Sequence, residues 1–167
     1  MITTANVATL GGVAVGLGIL IWVLIPWYRK SRDWKELVPF GSGLALGTLS
    51  VLAAGGVLGK IAGWILGATN KAGDYALSAG TGAQSPLVTR AGITALDPGG
   101  SVILLLFTVG LIAVWRSAKK KIRGSLATGV VCGCSIGLSA GVAGIAGATL
   151  VPLANSIGGV LTGFLGA

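Results

Sequence analysis

Residues 7–27 read VATLGGVAVGLGILIWVLIPW, 21 positions without a charge. At 1.5 Å per residue, a helix of that length reaches about 30 Å, the hydrocarbon thickness of a bilayer. Pro26, Trp27 and Tyr28 close the run and place two aromatic rings at headgroup depth, beside Arg29 and Lys30. No basic residue precedes it, so it reads as a retained span rather than the core of a signal peptide.

The rest of the chain supports the same class. Of 167 residues, 53% are hydrophobic, the mean hydropathy is +0.91, and only twelve basic and four acidic side chains are present. A soluble domain carries charge on about a quarter of its residues, so a water-facing surface cannot be built from this inventory. The expected fold is all-α and integral to the membrane, with four transmembrane helices arranged as two tandem hairpins. Residues 1–66 form the first hairpin, with spans at about 7–27 and 37–59, and residues 67–98 a non-cytoplasmic loop or short surface helix. Residues 99–167 form the second, with spans at about 99–115 and 125–151 and an apolar C-terminal tail divided off by Pro152.

Nine of the twelve cations lie in two clusters, each at the end of an apolar run. The first is Arg29, Lys30, Arg32 and Lys35; the second is Arg116, Lys119, Lys120, Lys121 and Arg123. Such clusters orient a membrane protein with the basic turns in the cytoplasm, which puts both termini outside, and they attract anionic lipid headgroups. Lys60, one bilayer thickness beyond the first turn, is expected to snorkel to the far interface beside Trp64. Asp97-Pro98 is a helix start, because Asp caps free N–H groups and Pro suits the first turn.

There is no histidine, and the four acids are Asp33, Glu36, Asp74 and Asp97, none inside an expected span. That inventory offers no catalytic triad and no proton relay, so neither an enzyme nor a proton-coupled transporter is expected. Cys132 and Cys134, two apart, point to opposite sides of a helix; they suit packing better than a disulfide or a metal site. No cofactor and no small-molecule substrate are expected.

Two glycine ladders are the most specific pattern. Gly43, Gly47, Gly55, Gly59 and Gly63 mark the second span at four-residue spacing, with Val51 at the missing rung; Gly129, Gly133, Gly137 and Gly141 mark the fourth. Each ladder is a smooth groove in which another helix backbone can lie close. Two uses follow: an intramolecular bundle in which the ladders pack on each other, or self-assembly into a homo-oligomer. The architecture also repeats 88 residues on, where Gly11-Gly12 matches Gly99-Gly100, Trp27 matches Trp115 and Gly41 matches Gly129.

In this pattern the chain resembles the conjugative pilins of type IV secretion systems, taken as two helical hairpins in tandem: residues 7–66 around the first basic turn and 99–151 around the second. The resemblance implies a self-assembling, non-enzymatic subunit of a DNA-transfer filament. Its basic turns would face a lumen through which DNA passes, and structural phospholipid would lie between subunits. The alternatives are a holin-like or other small pore-forming protein, or an accessory subunit of a larger membrane complex.

Overall fold

The computed structural model describes residues 7–30, 33–53, 56–88, 96–139 and 145–165. These form six helices: α1 (Leu10–Lys30), α2 (Trp34–Leu52), α3 (Gly56–Thr81), α4 (Pro98–Ser117), α5 (Lys120–Ile136) and α6 (Ile145–Leu165). Local chemistry sets several of their ends. Asp33 caps α2 by accepting the Lys35 N–H at 3.0 Å. Pro98 opens α4 as expected, although the Asp97 side chain makes no capping bond. Gly82 stops α3 with φ +69°, its N–H donating to the Ser78 carbonyl at 2.9 Å, a left-handed stop that suits glycine.

The core is the parallel pair α2 and α5. Gly43 faces the Leu126 carbonyl and Gly47 that of Val130, while Gly129 faces the Phe40 carbonyl and Gly133 that of Leu44. A methyl group at any of these four positions would collide with backbone of the other helix. Each contact recurs with the helices exchanged at an offset of 86 residues, so the pair has a local twofold relation. The ladders are therefore used inside the protomer. Buried apolar residues extend the same relation, as with Leu52 and Leu138.

A third helix in each half completes the repeat. Gly73 of α3 lies on Gly11 at the start of α1, and Gly158 of α6 lies on Gly99 at the start of α4. Asn70 Oδ1 accepts the Thr9 N–H at 3.2 Å; Asn155 Oδ1 accepts the Asp97 N–H at 3.1 Å. The repeating unit is thus three helices rather than two. Gly41, expected to match Gly129, yields that place to Gly43.

The halves interlock. Apart from Trp27 and Trp34 at the turn, α1 hardly packs on α2, and instead lies against α3 and α5. Gly16 lets α1 approach α5 closely: its carbonyl accepts from Cys132 Sγ at 3.2 Å, and its face abuts Ser135 and Ile136. The corresponding position on α4 is Leu104, whose buried side chain holds that helix further from α2. Cys134 turns the other way and donates to the Gly47 carbonyl at 3.6 Å, so the two free thiols do diverge.

The observed architecture departs from the expected spans in three places. Among the described residues, α1 and α4 alone are singly long and apolar enough to cross a membrane; α2 and α3, bent by 104° where they meet, make a third candidate only if taken as one. In α2 the first turn is Trp34, Lys35 and Glu36, and α5 has 17 residues with three cations among its first four, so neither is a continuous apolar run. Of the loop or short surface helix expected over 67–98, the part as far as Thr81 is helical and continuous with α3 from Gly56. In the last third, α5 ends at Ile136 and α6 runs through Pro152. The chain leaves the helix at Gly137, well before the proline, where glycine is a poor helix former.

Candidate functional site

The site is assembled at one end by the parallel run of α2 and α5. In the first turn, Trp27 Nε1 donates to the Asp33 carbonyl at 2.9 Å, and the Trp27 and Trp34 rings meet edge-on with centroids 5.3 Å apart. These contacts fix the exit of α1 relative to the entry of α2. Glu36, on the first turn of α2, accepts from Lys121 Nζ at 2.8 Å, and Lys121 lies on the first turn of α5. One ion pair thus ties the two basic turns together. In the second turn, the Arg123 guanidinium donates to the Arg116 carbonyl at 2.9 Å and so satisfies an end carbonyl of α4.

Of the nine basic residues singled out from sequence, Arg29, Lys30, Lys35, Arg116, Lys119, Lys120, Lys121 and Arg123 are exposed at this end; Arg32 lies outside the described residues. Glu36 is held below the ordinary carboxylate range by the Lys121 hydrogen bond, then by the Lys121 charge and, more weakly, that of Lys30. It therefore stays ionised, yet one surface pair is a small neutralising force against so many cations.

Helix polarity sharpens the imbalance. The N-terminus of a helix carries partial positive charge and is ordinarily complemented by acids. The first turn of α5 has none; it presents Lys120, Lys121 and Arg123 behind Lys119. An external anion near this turn would relieve both the side-chain repulsion and the helix dipole. Between the turns a cleft of about 480 Å³ opens, with an apolar floor that includes Val23, Leu37 and Ile122 and with Lys30, Lys35, Glu36 and Lys121 around it.

The packing glycines separate into groups. Gly43, Gly47, Gly129, Gly133 and Gly137 are enclosed between α2 and α5, and Gly59 lies on the Ala53 carbonyl at the α2–α3 junction. Gly63 is half-buried on α3, while Gly55 and Gly141 lie outside the described residues. Sequence reasoning missed the two asparagines. Their signal was present: Asn70-x-x-Gly73 recurs as Asn155-x-x-Gly158, but at an offset of 85 rather than 88. Among the described residues, no three His, Cys, Asp or Glu side chains gather to hold a metal ion.

No protein family, curated protein or solved structure matches the chain.

Proposed function

We propose that this chain is a non-enzymatic integral membrane protein of four crossings. Its two basic turns form a single cytoplasmic platform for an anionic polymer, nucleic acid foremost, within a larger transfer assembly. The observation that carries this reading is the Glu36–Lys121 pair, which joins the two basic turns and with them eight described cations at one end. Positive clusters of this kind face the cytoplasm. In this topology α1, α2, α4 and α5 cross. Beyond its charged first turn, α2 runs uncharged from Leu37 to Leu52, about 24 Å, somewhat short of the hydrocarbon thickness.

Turned 104° from α2, α3 lies near the membrane plane on the other side. Its exposed Lys60, Trp64, Lys71 and Tyr75 suit that interface.

The same alignment of basic turns favours a second reading, the pilin-like subunit, because a lumen lining also needs the turns at one end. With the ladders closed inside the protomer, subunit contacts in such a filament fall to the outer faces of α1 and α4. Trp22, Ile21, Leu105 and Val109 are exposed there.

The test is binding of a single-stranded oligonucleotide to the reconstituted protein across a salt series. Lys119→Gln with Lys120→Gln leaves both the Glu36–Lys121 pair and the Arg123 bond intact. The double variant is expected to bind on the order of tenfold more weakly, with a salt slope lowered by about 1.4, since each phosphate contact contributes about 0.7 on a single strand. Binding indifferent to salt, or unchanged in the double variant, would contradict the platform.

A further inference from the structure

We propose that α6 is embedded in the membrane leaflet away from the basic turns, with Leu153, Ile157, Val160 and Phe164 laid in the hydrocarbon, while its counterpart α3 stays at that leaflet's surface. This rests on the four-crossing topology just given.

The two helices are seated alike. Val151, Ala154 and Gly158 of α6 are buried, and at an offset of 85 so are Leu66, Thr69 and Gly73 of α3. Gly158 meets Gly99 at the start of α4 as Gly73 meets Gly11 at the start of α1. Because α3 is turned 104° from α2 and lies near the membrane plane, α6 does so too. Matching positions on the two helices can therefore be compared one by one.

What differs is the face beside the seat. At 3.6 residues per turn, Leu153, Ile157, Val160 and Phe164 fall within about 60° of one another, a stripe along α6. All four are exposed, Phe164 by 87%. The matching positions on α3 are Ala68, Ala72, Tyr75 and Ala79, also exposed. Helix α6 carries no charged side chain over Ile145–Leu165, whereas α3 carries Lys60, Lys71 and Asp74.

These differences set the depth of each helix. Left at an aqueous surface, the α6 stripe would keep four large apolar side chains wet. Hydrocarbon covers them, and no ionic group on α6 opposes the descent. Its apolar stretch, Ala148–Phe164, falls short of a span, so the helix is immersed along its length rather than carried across. The stripe continues a surface that already faces lipid in this topology, since Val102, Leu105 and Leu106 of the neighbouring α4 are exposed. Helix α3 would gain little from its alanines, and sinking it would draw Lys60 and Lys71 toward hydrocarbon. The halves thus share a frame but present different outer helices, one to water and one to the bilayer interior.

The experiment is electron paramagnetic resonance of nitroxide labels in phosphatidylcholine vesicles, with depth read from accessibility to oxygen against a water-soluble nickel chelate. Single cysteines are placed in the full chain by Leu153→Cys, Ile157→Cys, Ala68→Cys and Ala72→Cys. The unsubstituted protein, whose two thiols are buried, gives the background label. Positions 153 and 157 are expected about 5 Å or more deeper than positions 68 and 72. Adding Ile157→Lys should bring a label at position 153 toward the surface, whereas Ala72→Lys should leave one at position 68 where it was.

Equal depth at the matching positions would overturn the proposal, as would a label at position 153 indifferent to Ile157→Lys. Spin–spin broadening between chains at position 157 would give the stripe to a second copy and overturn it too. Failure of the crossings themselves shows elsewhere: an impermeant maleimide would then reach Ala83→Cys and Ala118→Cys from the same side, which the depth comparison does not measure.

Discussion

Gly133→Leu is expected to abolish the folded protomer, or to destabilise it by about 3 kcal/mol or more. Position 133 sits where α5 crosses α2, with the Leu44 carbonyl and the Thr48 N–H directly over it. Even a methyl group there meets main chain, which cannot rotate aside as a side chain can. An isobutyl group must drive the two helices apart along the seam. Separation would also cost the buried contacts of Leu49, Val51 and Leu138. Gly18→Leu is the control, since Gly18 has open space around its Cβ position and faces outward from α1. Its cost should be near zero, as helix propensity alone favours the change by up to about 1 kcal/mol. Denaturation by sodium dodecyl sulfate in mixed micelles, followed by helical circular dichroism, reads both. Similar tolerance at positions 133 and 18 would remove the glycine seam from the account.

Asn70→Leu has the next largest expected effect. Asn70 bridges chain segments 61 and 63 residues apart: Oδ1 accepts the Thr9 N–H, and Nδ2 donates to the Val7 carbonyl at 2.8 Å. The start of α1 then has partners for its free N–H groups. Leu10 donates to the Pro86 carbonyl at 2.9 Å, Gly11 to Ser85 Oγ at 2.8 Å and Gly12 to Thr9 Oγ1 at 3.1 Å. Thr9 Oγ1 in turn donates to Asp74 at 2.7 Å.

Leucine keeps the size of the side chain and deletes both of its bonds. A loss of about 2 kcal/mol is expected, within the range for leaving backbone groups unpaired. Amide hydrogen exchange at Thr9–Gly12 should accelerate more than at the middle of α1. Asn155→Leu, with the single bond to the Asp97 N–H, should cost less. Unchanged exchange at Thr9–Gly12 in the Asn70 variant would show that the clamp does not hold the helix start.

What the sequence made legible follows from the range of the physics involved. The apolar run of α1, the Pro98 start of α4 and the divergence of Cys132 and Cys134 are local, and all three hold in the structure, although Asp97 does not cap α4 with its side chain. The ladders were visible as grooves. Their partner was left open, because spacing on one helix does not say whether the helix opposite belongs to the same chain.

Beyond residue 66 the sequence leaves loop and surface helix open, because Gly, Ala, Ser and Thr dilute the periodicity of α3. What holds its far half is Gly73 on Gly11 and Asn70 on Thr9, contacts made across 60 residues. The repeat was seen at one offset only. It holds at 88 for the first helices, 86 for the second and 85 for the third, and the small deletions between them hid Gly43 and Asn70 from a single comparison. The basic clusters were plain in the sequence; that Glu36 reaches Lys121 across 85 residues was not.

The central claim is that α2 and α5 run parallel within one protomer and bring both basic turns to the same end. Glu36→Cys combined with Lys121→Cys, bridged by a short thiol-reactive linker, tests it most directly, because the tips of the longer native side chains meet across this gap. The native thiols at Cys132 and Cys134 are buried in the core, away from this surface. With a short bis-methanethiosulfonate linker in membranes, the account predicts rapid cross-linking within one chain, seen as a mobility shift of the monomer that reductant reverses. Position 83, which follows α3 on the opposite side in the proposed topology, should not cross-link to 121 under the same conditions. A cross-link found only between chains, or none at all, would contradict the parallel pairing and with it the shared cationic end.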